Sequence, residues 1–135
     1  MTPLLAHAIA VLLLTGIIWT IQLINYPGFR DIEKRQWPGY HKRHSVNIAI
    51  LVLPLMLIEI GVSGWLVWND ITLMHMAFFT LALFTWVITG VVFMPLHQHI
   101  VFRPTERDLR RLTRLNWIRT LTWTVSSVLS VISLM

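Results

Sequence analysis

At 135 residues the chain has the length of one small soluble domain, and its composition excludes that class. Hydrophobic residues make up 56% and charged residues 13%, mean hydropathy is +0.66, and soluble domains carry about 25% charged residues. The absence of cysteine also excludes disulfides, thiolate metal sites and cysteine nucleophiles.

Four apolar stretches take up most of the length: 3–24, 46–68, 71–94 and 112–135. Each reaches the roughly 20 residues an α-helix needs to cross about 30 Å of hydrocarbon. The sequence therefore predicts an all-α integral membrane protein, a single transmembrane domain over 1–135 built as a four-helix bundle. The first stretch has no basic n-region and is longer than a signal h-region, so it reads as a retained anchor. Asn25-Tyr26-Pro27-Gly28 is predicted to stop it. A loop over 25–45 follows, with Phe29, Ile32 and Trp37 among charges, suited to a short interfacial helix up to Pro38-Gly39. Only Asn69-Asp70 joins the second and third stretches, which makes them antiparallel neighbours. The third ends near Met94-Pro95. Beyond it, Thr105 with Asp108 three positions later forms a capping-box pattern behind Pro104. The fourth helix is thus expected to begin near Glu106, ahead of its entry into the membrane. Stretches one and three each end in a proline, a faint internal repeat.

All eleven Lys and Arg fall between Arg30 and Arg43 or between Arg103 and Arg119. The positive-inside rule then places both long loops in the cytoplasm and both termini outside, N-out and C-out, in a bacterial-type inner (plasma) membrane. The net charge of +5 lies beside spans, where it suits anionic lipid headgroups and not nucleic acid.

Because the spans alternate in direction, four helix ends meet at the cytoplasmic face. Gln22, Asn25, Tyr26, His41, His44, Asn47, His97, His99, Asn116 and Arg119 then share one polar layer. Glu59 lies about 20 Å from the inner boundary at about 1.5 Å per residue. An acidic group at such depth needs a partner, and Arg119, His75 and the Trp123 indole are the candidates. A neutral acid hydrogen-bonded in place, a structural ion pair, and a working proton or ligand group all remain open. His41, His44, His97 and His99 are imidazoles suited to zinc, copper or iron, although no thiolate or carboxylate completes a metal signature. Headgroup contact is their plainer role. His7 and His75, near the opposite end, can in principle bracket a haem. No cofactor is required by the sequence. Trp37, Trp65, Trp68 and Trp117 fall at predicted boundaries, as an aromatic belt does.

Several segments carry a resemblance. Gln22-Leu-Ile-Asn-Tyr26-Pro27, Tyr40-His-Lys-Arg-His44, Pro54-Leu-Met56-Leu-Ile-Glu59, and Pro95-Leu-His97 with Asn116-Trp117-Ile-Arg119-Thr120 resemble a class of small bacterial four-span proteins without an assigned function. A proline late in the third helix, followed by Asn-x-x-Arg in the fourth, is similar to the anthrone-oxygenase-like family of four-span membrane proteins. That family often carries another Arg a few residues after a Trp-Thr pair. Here Trp123-Thr124 is followed by Val125-Ser126-Ser127. The resemblance implies a shared bundle with a polar site at its inner end, and relatives that oxidise polyketide anthrones without metal or flavin.

The leading expectation is a site for a lipophilic, quinone- or anthrone-like molecule at the cytoplasmic end of the bundle. His44 or His97 is its candidate base, and Asn116 and Arg119 its oxyanion donors. Gln22, Tyr26, Glu59 and Trp123 are expected to contribute to binding. Whether the site is catalytic stays open. Two other classes fit the same sequence: a non-catalytic subunit or assembly factor of a larger membrane complex, and a small transporter or metal carrier that functions as an oligomer.

Overall fold

The computed structural model describes residues 2–135. Its four helices are α1 (Pro3–Asp31), α2 (Trp37–Asn69), α3 (Leu73–His99) and α4 (Glu106–Leu134). Each packs chiefly on two neighbours, in the cyclic order α1, α2, α3, α4. The first three are long and apolar enough to cross a membrane. The fourth is less apolar because its first turns carry Glu106, Arg107, Asp108, Arg110, Arg111 and Arg114, and the rest carries Arg119 and a row of Ser and Thr.

Three helix boundaries differ from those the sequence suggests, and proline is the reason each time. Helix α1 does not stop at Pro27 but continues to Asp31. A π turn over Ile21–Asn25 precedes the proline, and the Tyr26 N–H donates to the Ile21 carbonyl. A proline inside a helix has no N–H, and its ring clashes with the carbonyl four residues back. Widening the preceding turn moves that carbonyl aside. Helix α3 repeats the device: a π turn over Thr89–Phe93 leads into Met94-Pro95, with the Met94 N–H on the Thr89 carbonyl. It then continues to His99. Helix α2 begins at Trp37, because Pro38 occupies the first turn, where the missing N–H has no partner to lose. The expected loop over 25–45 therefore shrinks to 32–36.

The other connections follow local chemistry. Residues 70–72 join α2 to α3, and the Thr72 hydroxyl accepts from the His75 N–H. Helix α4 starts at Glu106 with the expected reciprocal Thr105–Asp108 box. The Thr105 hydroxyl and backbone N–H donate to the Asp108 carboxylate at 2.7 and 3.0 Å. These two bonds hold that carboxyl below its ordinary range.

Around an apolar core, α4 turns a polar stripe inward and an aliphatic side outward. Asn116, Arg119, Thr120, Trp123, Ser126, Ser127 and Ser130 are buried along one stripe of α4, while Leu121, Val125, Val128 and Ile132 are exposed. The small residues let α1 approach closely. Thr15 Oγ1 donates to the Trp123 carbonyl at 2.9 Å and accepts from Ser127 Oγ at 2.7 Å. Indole N–H groups add further ties between elements. Trp19 donates to Thr124 Oγ1 (3.0 Å), Trp86 to the Met56 carbonyl (3.2 Å) and Trp37 to the Ile100 carbonyl (2.6 Å). Trp37 is therefore buried and not part of a boundary belt, whereas Trp65 and Trp68 are exposed.

Candidate functional site

A cavity of about 340 Å³ lies within the half of the bundle where the π turns occur, and all four helices wall it. Ile17, Ile18 and Ile21 of α1, Ile48 and Val52 of α2, and Trp123 of α4 give it apolar sides. Tyr26, His44, His97 and Arg119 supply its polar groups. Leu53 of α2 and Met94 of α3 line it too and are 44% and 56% exposed, so its mouth lies between those two helices. A mainly apolar pocket with a few convergent polar groups is the usual form of a small-molecule site.

Arg119 organises the polar groups. Its Nε and Nη2 donate to Asn116 Oδ1 at 3.0 and 2.6 Å, and Nη2 also donates to the Tyr26 hydroxyl at 3.2 Å. The Phe93 ring, from the π turn of α3, lies 3.7 Å beneath the guanidinium carbon. Nη1 donates to no protein atom among the described residues. Both acceptors are neutral, and among the described residues no carboxylate pairs with Arg119. The cation is 8% exposed and lacks a protein counter-ion.

Direction propagates outward from this group, because a guanidinium donates and never accepts. On one side, Asn116 Nδ2 donates to Gln22 Oε1 at 2.9 Å, and Gln22 Nε2 to the Thr113 carbonyl at 3.1 Å. On the other, the Tyr26 oxygen accepts from Arg119, and the one acceptor that its own proton meets among the described residues is His97 Nε2, 3.1 Å away, so we assign His97 the tautomer with Nε2 unprotonated. His97 Nδ1 then carries the proton that it donates to His41 Nε2 at 3.0 Å. The aromatic cluster around the start of α2 fixes these rings. Trp37 stacks on His41 at 5.1 Å, and Phe29 meets His44 edge-on at 4.9 Å.

The expected site residues thus divide into two groups. Tyr26, His44, His97, Arg119 and Trp123 stand on the cavity wall. Asn116 and Gln22 lie behind Arg119, so Asn116 positions the guanidinium and does not itself face the cavity. Both ring nitrogens of His97 are committed, whereas His44 makes no side-chain hydrogen bond among the described residues, which leaves it the better placed base. Glu59 also lies off the cavity. Its Oε2 accepts from Trp123 Nε1 at 3.1 Å, and its Oε1 is buried without a partner. Of the three candidate partners, the indole is the one it meets.

The four histidines considered for a metal do not form one site. His41 and His97 bond each other, and His99 turns outward toward Asp108 at 3.9 Å. No group of three or more His, Cys, Asp or Glu able to hold a metal ion occurs among the described residues. A haem does not fit between His7 and His75. His7 Nδ1 donates to Ser130 Oγ (3.0 Å), His75 Nδ1 donates to the Asp70 carbonyl (2.7 Å), and the Phe78 ring packs against both.

Two further cavity residues gave no signal in the sequence. The hydroxyls of Ser45 and Thr89 are buried on the wall with no hydrogen-bond partner. Most Ser and Thr in these helices back-bond to a carbonyl three or four residues earlier, as Thr120 does to Asn116. Comparisons with protein families, curated proteins and solved structures find no match, so the chemistry of the site rests on its own geometry.

Proposed function

We propose that this protein is a four-span bundle of a bacterial-type inner membrane, with both termini outside and its basic segments in the cytoplasm. In this reading it binds a lipophilic molecule whose oxygen-bearing head meets Arg119. The apolar exterior supports the membrane placement. Exposed Leu, Ile and Val cover α1, α2 and α3, far beyond the apolar patches that soluble monomers tolerate. Helix α4 joins as a fourth span because its polar stripe faces its neighbours and its exposed side is aliphatic.

The observation that carries the ligand reading is the buried guanidinium without a counter-ion on the wall of an otherwise apolar cavity. A cation held away from water needs acceptors, and Nη1 still has two donors to give. The mouth between α2 and α3 faces the surrounding lipid, so an apolar ligand reaches the cavity from the membrane. The unpaired Ser45 and Thr89 hydroxyls supply further polar contacts. A flat ring with a carbonyl or hydroxyl oxygen, as in a quinone- or anthrone-like molecule, matches this lining. The segments that resemble the small four-span class include Tyr26, His44, His97 and Arg119, and the similarity to the anthrone-oxygenase-like family rests on Pro95 with Asn116 and Arg119, in line with this reading.

The test is a titration of the purified protein in detergent with a decyl-substituted benzoquinone, following tryptophan fluorescence. Trp123 lines the cavity, so saturable quenching is expected. Ala49→Phe, on the α2 wall of the cavity, should weaken binding about tenfold by filling the space. Quenching that never saturates, or that is identical in Ala49→Phe, overturns the proposal.

A further inference from the structure

With His97 assigned as the acceptor from Tyr26, the hydrogen bonds beside the cavity all run one way, and that arrangement suits one process. We propose that the site takes up a lipophilic molecule with a weakly acidic hydroxyl as its anion and exports the proton along Tyr26, His97 and His41. This deepens the ligand reading given above and rests on it.

Arg119 and the assigned His97 tautomer together set the resting arrangement. Its Nη2 donates to the Tyr26 oxygen, Tyr26 donates to His97 Nε2, and His97 Nδ1 donates to His41 Nε2. With Nε2 accepting, neutral His41 carries its proton on Nδ1, at the far end of the chain. Every link therefore points from the cavity toward the first turns of α2. The Tyr26 oxygen still has an acceptor site, since a phenol oxygen accepts as well as donates. A ligand hydroxyl placed there completes the line.

The transfer balances without any electron moving. The ligand O–H bond breaks and its proton joins the Tyr26 oxygen. The Tyr26 proton passes to His97 Nε2, the His97 Nδ1 proton to His41 Nε2, and the His41 Nδ1 proton to solvent outside the bundle. The oxyanion that remains supplies the counter-charge that Arg119 lacks. The chain resets when both imidazoles exchange tautomers. Glu59 takes no part, being bonded to Trp123. The ionisable groups around the line are Tyr26 on α1, His41 and His44 on α2, His97 on α3 and Arg119 on α4. His44 is the competing acceptor, because it lines the same cavity with its ring nitrogens uncommitted.

The experiment uses an alkyl-nitrophenol, whose absorbance distinguishes phenol from phenolate, with the full chain in detergent. Binding is read from tryptophan quenching, ionisation from absorbance, and proton release from a pH indicator in weak buffer. The bound probe is expected to be phenolate at about one pH unit or more below its solution pKa, with about one proton released per bound probe. His97→Gln and His41→Gln keep a donor and an acceptor in place but cannot relay a proton. Each should slow release per bound probe roughly a hundredfold. His99→Gln, on the exposed end of α3, should leave release as it is. Absence of saturable quenching removes the ligand reading and this proposal together. Saturable quenching by a probe that stays neutral, or release slowed by His44→Gln and not by His41→Gln, overturns the relay alone. If the histidine variants fail to fold, the protonation state of the probe bound to the unaltered protein still decides.

Discussion

Replacing Arg119 with Lys separates a positioned guanidinium from a cation that merely reaches toward headgroups. Arg119 directs Nε and Nη2 at Asn116 Oδ1, and Nη2 also at the Tyr26 hydroxyl, while its flat face lies 3.7 Å from the Phe93 ring centroid. A single ammonium on an unbranched stem meets one of those two acceptors. The loss of one charged hydrogen bond costs about 1.5–3 kcal/mol, and loss of the ring contact about 0.5–1 kcal/mol. The variant should therefore be about 2–4 kcal/mol less stable, because Asn116 and Tyr26 are buried and water does not replace the missing donor. At about 3–4 °C per kcal/mol for a chain of this size, Tm should fall by roughly 7–14 °C. Thermal unfolding in detergent, followed by near-ultraviolet circular dichroism, measures it. A fall of less than about 2 °C would refute the reasoning, since a snorkelling cation tolerates the exchange.

Trp123→Phe removes the one donor that Glu59 meets, and should destabilise the bundle by about 1–3 kcal/mol. Combining it with Glu59→Leu should cost less than the two single changes added together, a coupling that a double-mutant cycle reads directly. The Asp108 carboxyl is held below its unfolded value of about 4 by Thr105. Its contribution to the start of α4 is therefore complete above that value and is lost as pH falls through the lower folded value. Amide exchange over 106–109 should show this loss in the parent and a smaller one in Thr105→Ala, which removes the hydroxyl and keeps the backbone donor. Single cysteines at Asn69 and Thr105 report the topology: in intact cells an impermeant reagent should label the first and spare the second, and the reverse pattern would refute N-out and C-out.

How much the sequence discloses depends on how local the determining chemistry is. The Thr105–Asp108 cap was legible because both partners lie within one turn. The shared polar layer was legible because four alternating helices must bring their ends to one face. Which member of the layer faces the cavity was not legible. Asn116 and Arg119 are three positions apart at nearly one depth, yet Asn116 turns to Gln22 while Arg119 reaches the cavity wall. That outcome depends on helix rotation, and hydropathy carries no record of it. Pro27, Pro38 and Pro95 presented one breaker signal and met different fates. Two are absorbed behind π turns and one occupies a first turn, according to whether a carbonyl lies four residues back. Ser45 and Thr89 passed unnoticed because a helical hydroxyl normally satisfies itself on its own backbone.

The paired π turns have a consequence for the phase of everything beyond them. An α-helix turns by about 100° per residue, and a π turn holds one residue more than the α turn it replaces. Tyr26 and His97 each follow such a turn, so each stands about 100° around its axis from where an unbroken α-helix would carry it. A return of 21–25 or 89–93 to α geometry at unchanged length, the change that replacing Pro27 or Pro95 with Ala favours, would swing Tyr26 or His97 away from Arg119, with every named polar side chain still present in the chain. The wide turn, and with it the proline that demands it, is thus as much a part of this site as the groups that line it.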